Sequence, residues 1–345
     1  MTTIRDDFPA PRIGMPFGVP NVLAALVLVH AVIVFAAASL TGYAFKPGMA
    51  GIMTEAVTYL FPWFVLAMLI RLVARTAMAP GEERPLVAVR RRITAVLLDR
   101  DRMLGAPLRF LLICLFVGAS GYFKEMITAI QPFAWDTAFA ALDRVLHLGV
   151  DPWRIFWPVF GNPLGTTFLN AIYHAWFFCI YFAVFAACFA PVGDRSARTF
   201  LIALVLTFAI GGNLLALIFS SAGPVYFERL GLGADFAPLM TALNDFAETS
   251  PVWALGVQEK LWQGFVADGR VSGISAMPSM HVALALLMAF YATATSRILG
   301  IAMWVFAALT MIGSVHLGWH YAVDGYLSVF VAWGAWAVAR RIEAW

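Results

Sequence analysis

Eight apolar runs, each long enough to cross a bilayer, dominate this chain: about 21–44, 54–76, 106–128, 164–190, 197–221, 277–296, 298–317 and 319–339. Hydrocarbon roughly 30 Å thick offers peptide groups no hydrogen-bond partner, so a single run of roughly 17–25 apolar residues has one stable solution there, an α-helix. With 62% hydrophobic and 12% charged residues, the composition excludes a water-soluble globule. The expected fold is an all-α integral membrane protein of about eight transmembrane helices.

Placement of charge predicts orientation. Alternating the eight spans puts Arg5 and Arg12, the cluster from Arg71 to Arg109, Arg195 and Arg198, Arg297, and Arg340 and Arg341 on one side. Lys46, Lys124, Arg144, Arg154, Arg229, Lys260 and Arg270 fall on the other. Basic residues collect in cytoplasmic segments, so both termini are expected in the cytoplasm, and a bacterial inner-membrane location is expected. Cys114, Cys179 and Cys188 lie inside spans and read as small packing residues. The first 18 or so residues lack the apolar core and cleavage signature of a signal peptide, so the first span reads as retained.

Three regions follow: a two-span segment 1–77, a basic amphipathic linker 78–105, and a six-span core 106–345. The linker's VAVRRRITAVLLDRDRML suits either a surface helix beside anionic head groups or a solvated connector. An external loop at 131–163 carries Trp135, Trp153 and Trp157 among Asp136, Asp143, Arg144 and Arg154, and reads as an interfacial helix. The longer loop 222–275 has the length of a lid or binding element.

The chemistry-bearing residues are few, and ionisable groups at a bilayer are costly enough to imply a function. HLGWHYAVDG, read as helix, puts His316, His320 and Asp324 on one face at four-residue spacing. Three uses fit: hydrogen bonds between helices, a metal or haem between the histidines, or a nucleophilic imidazole oriented by the aspartate. PSMH suits a helix start in which Pro278 and Ser279 open the first turn and the free amides face an anion, with His281 beside it. Lys124, separated by six residues from Gln131-Pro132, either snorkels to the interface or meets that anion. By the arginine-derived topology, all three clusters lie at one level on the extracytoplasmic side. His174, well inside a span, reads as a hydrogen-bonding residue between helices, and His30 and His147 carry no signal.

Together these residues resemble the type 2 phosphatidic acid phosphatase superfamily. Its first motif is a lysine followed by Arg-Pro, matched by Lys124 with Gln131 in the arginine's place. Its Pro-Ser-Gly-His is matched by Pro278, Ser279 and His281, with Met280 replacing glycine. Its Ser-Arg and His-x-x-x-Asp is matched by His320 and Asp324, with Gly313 and Ser314 where Ser-Arg is expected. The MPSMH form, Gly223-Pro224 with Tyr226, and the WD…LDR…DPWR loop are similar to the inositol phosphorylceramide synthase (aureobasidin-resistance) branch.

The resemblance implies phosphoryl transfer through a phosphohistidine, with no metal or other cofactor. His320 would be the nucleophile, Asp324 its orienting partner and His281 the acid for the leaving alkoxide. Lys124 and Ser279, with Gln131, Arg270, Tyr226 and His316, would bind the phosphate. Expected partners are membrane lipids, with no nucleic acid. A phosphate monoester carries about −1.5 to −2 charge near pH 7, and two of the family's arginines are missing here. The expectation is therefore a phosphodiester substrate whose head group passes to a lipid alcohol. Alternatives are a lipid monoester phosphatase, an ion or proton transporter using the His/Asp cluster as a relay, and a metal-dependent enzyme.

Overall fold

The computed structural model describes residues 20–42, 51, 54–77, 84–268 and 274–344. Every regular element among the described residues is helical. Twelve helices carry the description. They are α1 (Asn21–Thr41), α2 (Phe61–Ala77), α3 (Pro85–Leu98), α4 (Arg100–Ile130), α5 (Asp136–Leu146), α6 (Pro163–Cys188), α7 (Arg195–Thr207), α8 (Ala237–Ala247), α9 (Trp253–Asp268), α10 (Met280–Thr295), α11 (Arg297–His316) and α12 (Ala322–Ile342). A π-helical stretch, Phe208–Leu215, extends α7 toward Ala216–Ile218. Seven helices among the described residues are long and apolar enough to span a membrane.

The eighth expected span, 277–296, is the exception. Its helix α10 has 16 residues, about 24 Å of rise, which falls short of the hydrocarbon thickness. The chain from 274 to 279 is non-helical, so α10 starts inside the bundle. Every residue from Val282 to Ala289 is buried. A helix apolar on all sides is one surrounded by other helices. α10 is thus the central post, packed with α6, α7, α11 and α12 around Phe200, Leu201, Leu284 and Ala332. α1 adds Leu23 and Val27 to the same core, whereas Trp63 and Ile70 of α2 stay exposed, as suits lipid-facing groups.

The two ends of the bundle differ chemically. At one, Arg102 Nε donates to Phe189 O at 2.5 Å and Arg109 Nη1 to Ala190 O at 3.2 Å, placing cations on the carbonyl end of α6. Arg198 pairs with Glu343 there at 2.6 Å. The opposite end of α4 carries Lys124. Around that second end α5, α8 and the loop before α12 form an aromatic cluster with Phe139, Trp153, Phe236, Leu239 and Tyr321. α4 starts at Arg100, capped by Asp99, whose carboxylate accepts from Arg102 N at 3.1 Å. The end of the expected linker is therefore continuous with the following span.

Candidate active site

Ser279 stands at the N-cap of α10, its Oγ accepting from Val282 N at 3.5 Å. That puts His281 in the first turn. The ring stacks on Tyr173 at 4.3 Å and lies against Trp176, also at 4.3 Å. Trp176 Nε1 donates to His281 O at 3.0 Å. Side chains of α6 thus hold both ring and backbone.

HLGWHYAVDG is not one helix. α11 ends at His316, and Gly318 (φ 73°) turns the chain in the left-handed region that glycine occupies without strain. Trp319 N and His320 N both donate to Ser314 O at 3.1 Å, and α12 begins at Ala322. The expected common face of His316, His320 and Asp324 is therefore absent. His316 Nε2 lies 2.9 Å from Thr166 Oγ1 and its ring faces Trp157 at 5.4 Å. It is turned out of the row that a proton relay through the three residues would need.

His320 and Asp324 do meet. Nδ1 lies 3.3 Å from Asp324 Oδ2, which also accepts from Tyr321 N at 3.0 Å. An Nδ1 proton facing the carboxylate would leave the lone pair on Nε2. Asp324 is fully buried behind the histidine. The two motifs are tied directly: Ser279 N donates to Asp324 O at 3.3 Å, and Ser328 Oγ donates to Ser279 O at 2.8 Å.

Two carboxylates that sequence reasoning left in an interfacial loop hold this arrangement from outside. Asp136 accepts from Ala222 N, from Gly223 N at 2.8 Å and from Tyr321 Oη at 2.9 Å. Asp143 accepts from Ala322 N at 2.7 Å and Val323 N at 2.9 Å, so α5 caps the helix that carries Asp324. Burial pushes both carboxyls above the ordinary range, against the opposite pull of their N–H donors. The signal was present in the sequence: two aspartates spaced two helical turns apart share one face.

Gly223 (φ 101°) is the other constraint. A Cβ built there would lie 2.5 Å from Trp319 O, the residue preceding His320. Gly223→Ala should therefore displace the His320 loop. Misplacement by about 1 Å can cost ~10²-fold in rate. The expected result is a folded protein with turnover down by roughly 10–10², measured beside wild type in the same detergent. Wild-type turnover would show that the loop absorbs the contact.

A cavity of about 510 Å³ opens at this level, lined by Lys124, Tyr226, His281, Trp319 and His320. The rest of its wall is largely apolar, with Val117, Phe177, Phe208, Val257, Leu261 and Ile274. Lys124 forms no ion pair among the described residues. Of the predicted phosphate-binding residues, Lys124 and Tyr226 reach the cavity, and the Tyr226 hydroxyl already donates to Gln258 O at 2.9 Å. Ser279, Gln131 and His316 do not line it. Ser279 caps α10, Gln131 ends α4 past the cavity with its N–H on Ile127 O, and His316 is held by Thr166. Arg270 lies outside the described residues.

Sequence reasoning missed His174, which does line the cavity. Its Nδ1 lies 2.8 Å from Asn170 O in its own helix rather than reaching a neighbour. A second cavity, about 380 Å³ and lined by Arg229, Asn244 and Glu259, holds no histidine. Among the described residues no three His, Cys, Asp or Glu side chains converge as metal ligands.

The family model of the PAP2 superfamily matches residues 137–338. That stretch includes His281, His320 and Asp324, and leaves Lys124 just outside. No curated protein and no solved structure matches the chain. Matched over more than half its length, the chain belongs to the PAP2 superfamily and is an integral membrane enzyme of its lipid phosphatase and phosphotransferase type.

Proposed function

We propose that this protein transfers a phospho-head group, of inositol-phosphate type, from a phospholipid to a lipid alcohol through a phosphohistidine. One observation carries the choice of substrate. Among the described residues Lys124 is the only lysine or arginine lining the cavity. One cation matches a phosphodiester of about −1 charge, and leaves a monoester of about −1.5 to −2 under-compensated in an apolar cavity.

The roles are those the family resemblance implies, and the geometry supports them. His320 Nε2 attacks phosphorus while Asp324 holds Nδ1–H and offsets the charge on the ring. His281, fixed between Tyr173 and Trp176, protonates the leaving alkoxide. Lys124 and the Met280 and His281 amides at the start of α10, which line the cavity, stabilise the charged phosphoryl oxygens. The apolar wall accepts acyl chains arriving sideways from the leaflet.

The branch resemblance remains part of this reading. Its scattered features belong to one unit, in which Asp136 grips Gly223 and Tyr321 while Asp143 caps α12. In this reading residues 106–345 form the catalytic core, with 1–77 and the linker 78–105 added to it. The arginine-rich end faces the cytoplasm of a bacterial inner membrane, and the site faces outward.

The test uses purified protein in detergent with chelator, given labelled phosphatidylinositol or phosphatidic acid, with and without ceramide or diacylglycerol. A new phospholipid that forms from phosphatidylinositol only when acceptor is present is the expected result. Free phosphate released from phosphatidic acid faster than any transfer would make the protein a monoester phosphatase instead.

A further inference from the structure

A head-group transferase must move a proton in opposite directions on two lipids. It gives one to the departing alkoxide and removes one from the incoming alcohol. His281 is placed for the first task. A second basic group lies in the same cavity, and no motif accounts for it.

His174 sits on α6 one residue from Tyr173, which stacks on His281, and both histidines line the cavity. Its Nδ1 faces the Asn170 carbonyl at 2.8 Å. A carbonyl only accepts, so Nδ1 carries the hydrogen and Nε2 the lone pair. Nε2 has no hydrogen-bond partner among the described residues. The ring meets Trp253 of α9 edge-on at 5.6 Å. Asn170, which holds His174, also accepts from Ala254 N of α9 through Oδ1 at 3.0 Å. An oriented imidazole with a free basic nitrogen therefore lies where α9 closes over the cavity.

We propose that His174 is the catalytic base for the acceptor lipid, an inference that rests on the transferase reading above. The acceptor hydroxyl donates to His174 Nε2. As its oxygen bonds to phosphorus, the P–N bond to His320 breaks and that electron pair returns to Nε2 of His320. The hydroxyl proton passes to His174. His281 has by then lost its own proton to the leaving alcohol, and the proton on His174 passes to His281, restoring both histidines for the next cycle.

The experiment follows the partition of the covalent intermediate. Full-length enzyme in detergent with chelator receives labelled phosphatidylinositol, with ceramide as acceptor and water as the competing one. For His174→Gln the ratio of ceramide product to released inositol phosphate is expected to fall by roughly 10², the contribution of a general base. The acid-labile adduct on His320, read by mass, is expected to accumulate. A ratio within threefold of wild type, with both products reduced together, would overturn the proposal, as would failure to form the adduct. If His174→Gln aggregates, His174→Phe, which keeps a ring against Trp253, is judged by the same ratio. Should wild type itself yield no ceramide product, the transferase reading fails with the proposal, and wild type alone reveals it.

Discussion

Replacing His320 by alanine is expected to lower turnover by at least ~10⁴-fold, and Asp324→Asn by roughly 10⁴-fold. The two losses have different origins. On the proposed mechanism, loss of His320 prevents the phosphorus–nitrogen bond from forming and leaves only binding and charge stabilisation by Lys124 and the α10 amides. With asparagine at 324 the nucleophile is present but loses the anion that fixes its tautomer. Asp324 Oδ2 takes hydrogens from both His320 Nδ1 and Tyr321 N, and a neutral amide offers a weaker acceptor there. Asp324 also caps α12, so its removal adds about 1 kcal/mol of lost stability; thermal unfolding of each variant separates that from chemistry. The measurement is turnover of labelled phosphatidylinositol, with mass detection of the covalent adduct. An adduct still formed by His320→Ala, or more than about a hundredth of wild-type rate, would place the nucleophile elsewhere.

The spans were legible because apolar length has one meaning in a bilayer, and the meeting of Lys124, His281 and His320 followed from counting spans. What lay outside that reading has specific causes. The helical face drawn through His316, His320 and Asp324 ignored the Leu317-Gly318 stop, where glycine just past a helix end was a usable signal. α10 read as a full span since an all-buried post and a lipid-crossing helix have equally apolar sequences, and only length set against the preceding PSMH turn separates them. Asp136 and Asp143 read as part of an interfacial helix, with no partner assigned. Their spacing showed a shared face, but not its partner: α5 folds back on the start of α12, a contact 179 residues apart in sequence. His174, well inside a span, read as a hydrogen-bonding residue between helices. It lines the cavity together with Tyr173, Trp176 and Phe177 of the same helix.

Lys124→Met is expected to lower kcat by roughly 10²–10³ while leaving KM for a phosphodiester lipid within a few fold. A positive charge about 4 Å from an anion is worth about 4 kcal/mol at the effective dielectric of a partly wet protein site, or a factor of roughly 10³. Only the part that grows as charge accumulates on the phosphoryl oxygens appears in kcat. Methionine keeps most of the stem's apolar volume, so lost packing contributes little. No other lysine or arginine among the described residues lines the cavity to replace it. Lys124→Arg keeps the charge and should recover most of the rate, since a lone cation acts mainly through its charge, although the planar guanidinium sets a different reach. If Lys124→Met turned over within threefold of wild type, the phosphate would have to sit beyond the lysine's reach. Arg270 would then become the cation to test, and the case for a singly charged substrate would fall with it. A kcat loss restored by arginine would instead tie the charge of Lys124 to the transition state.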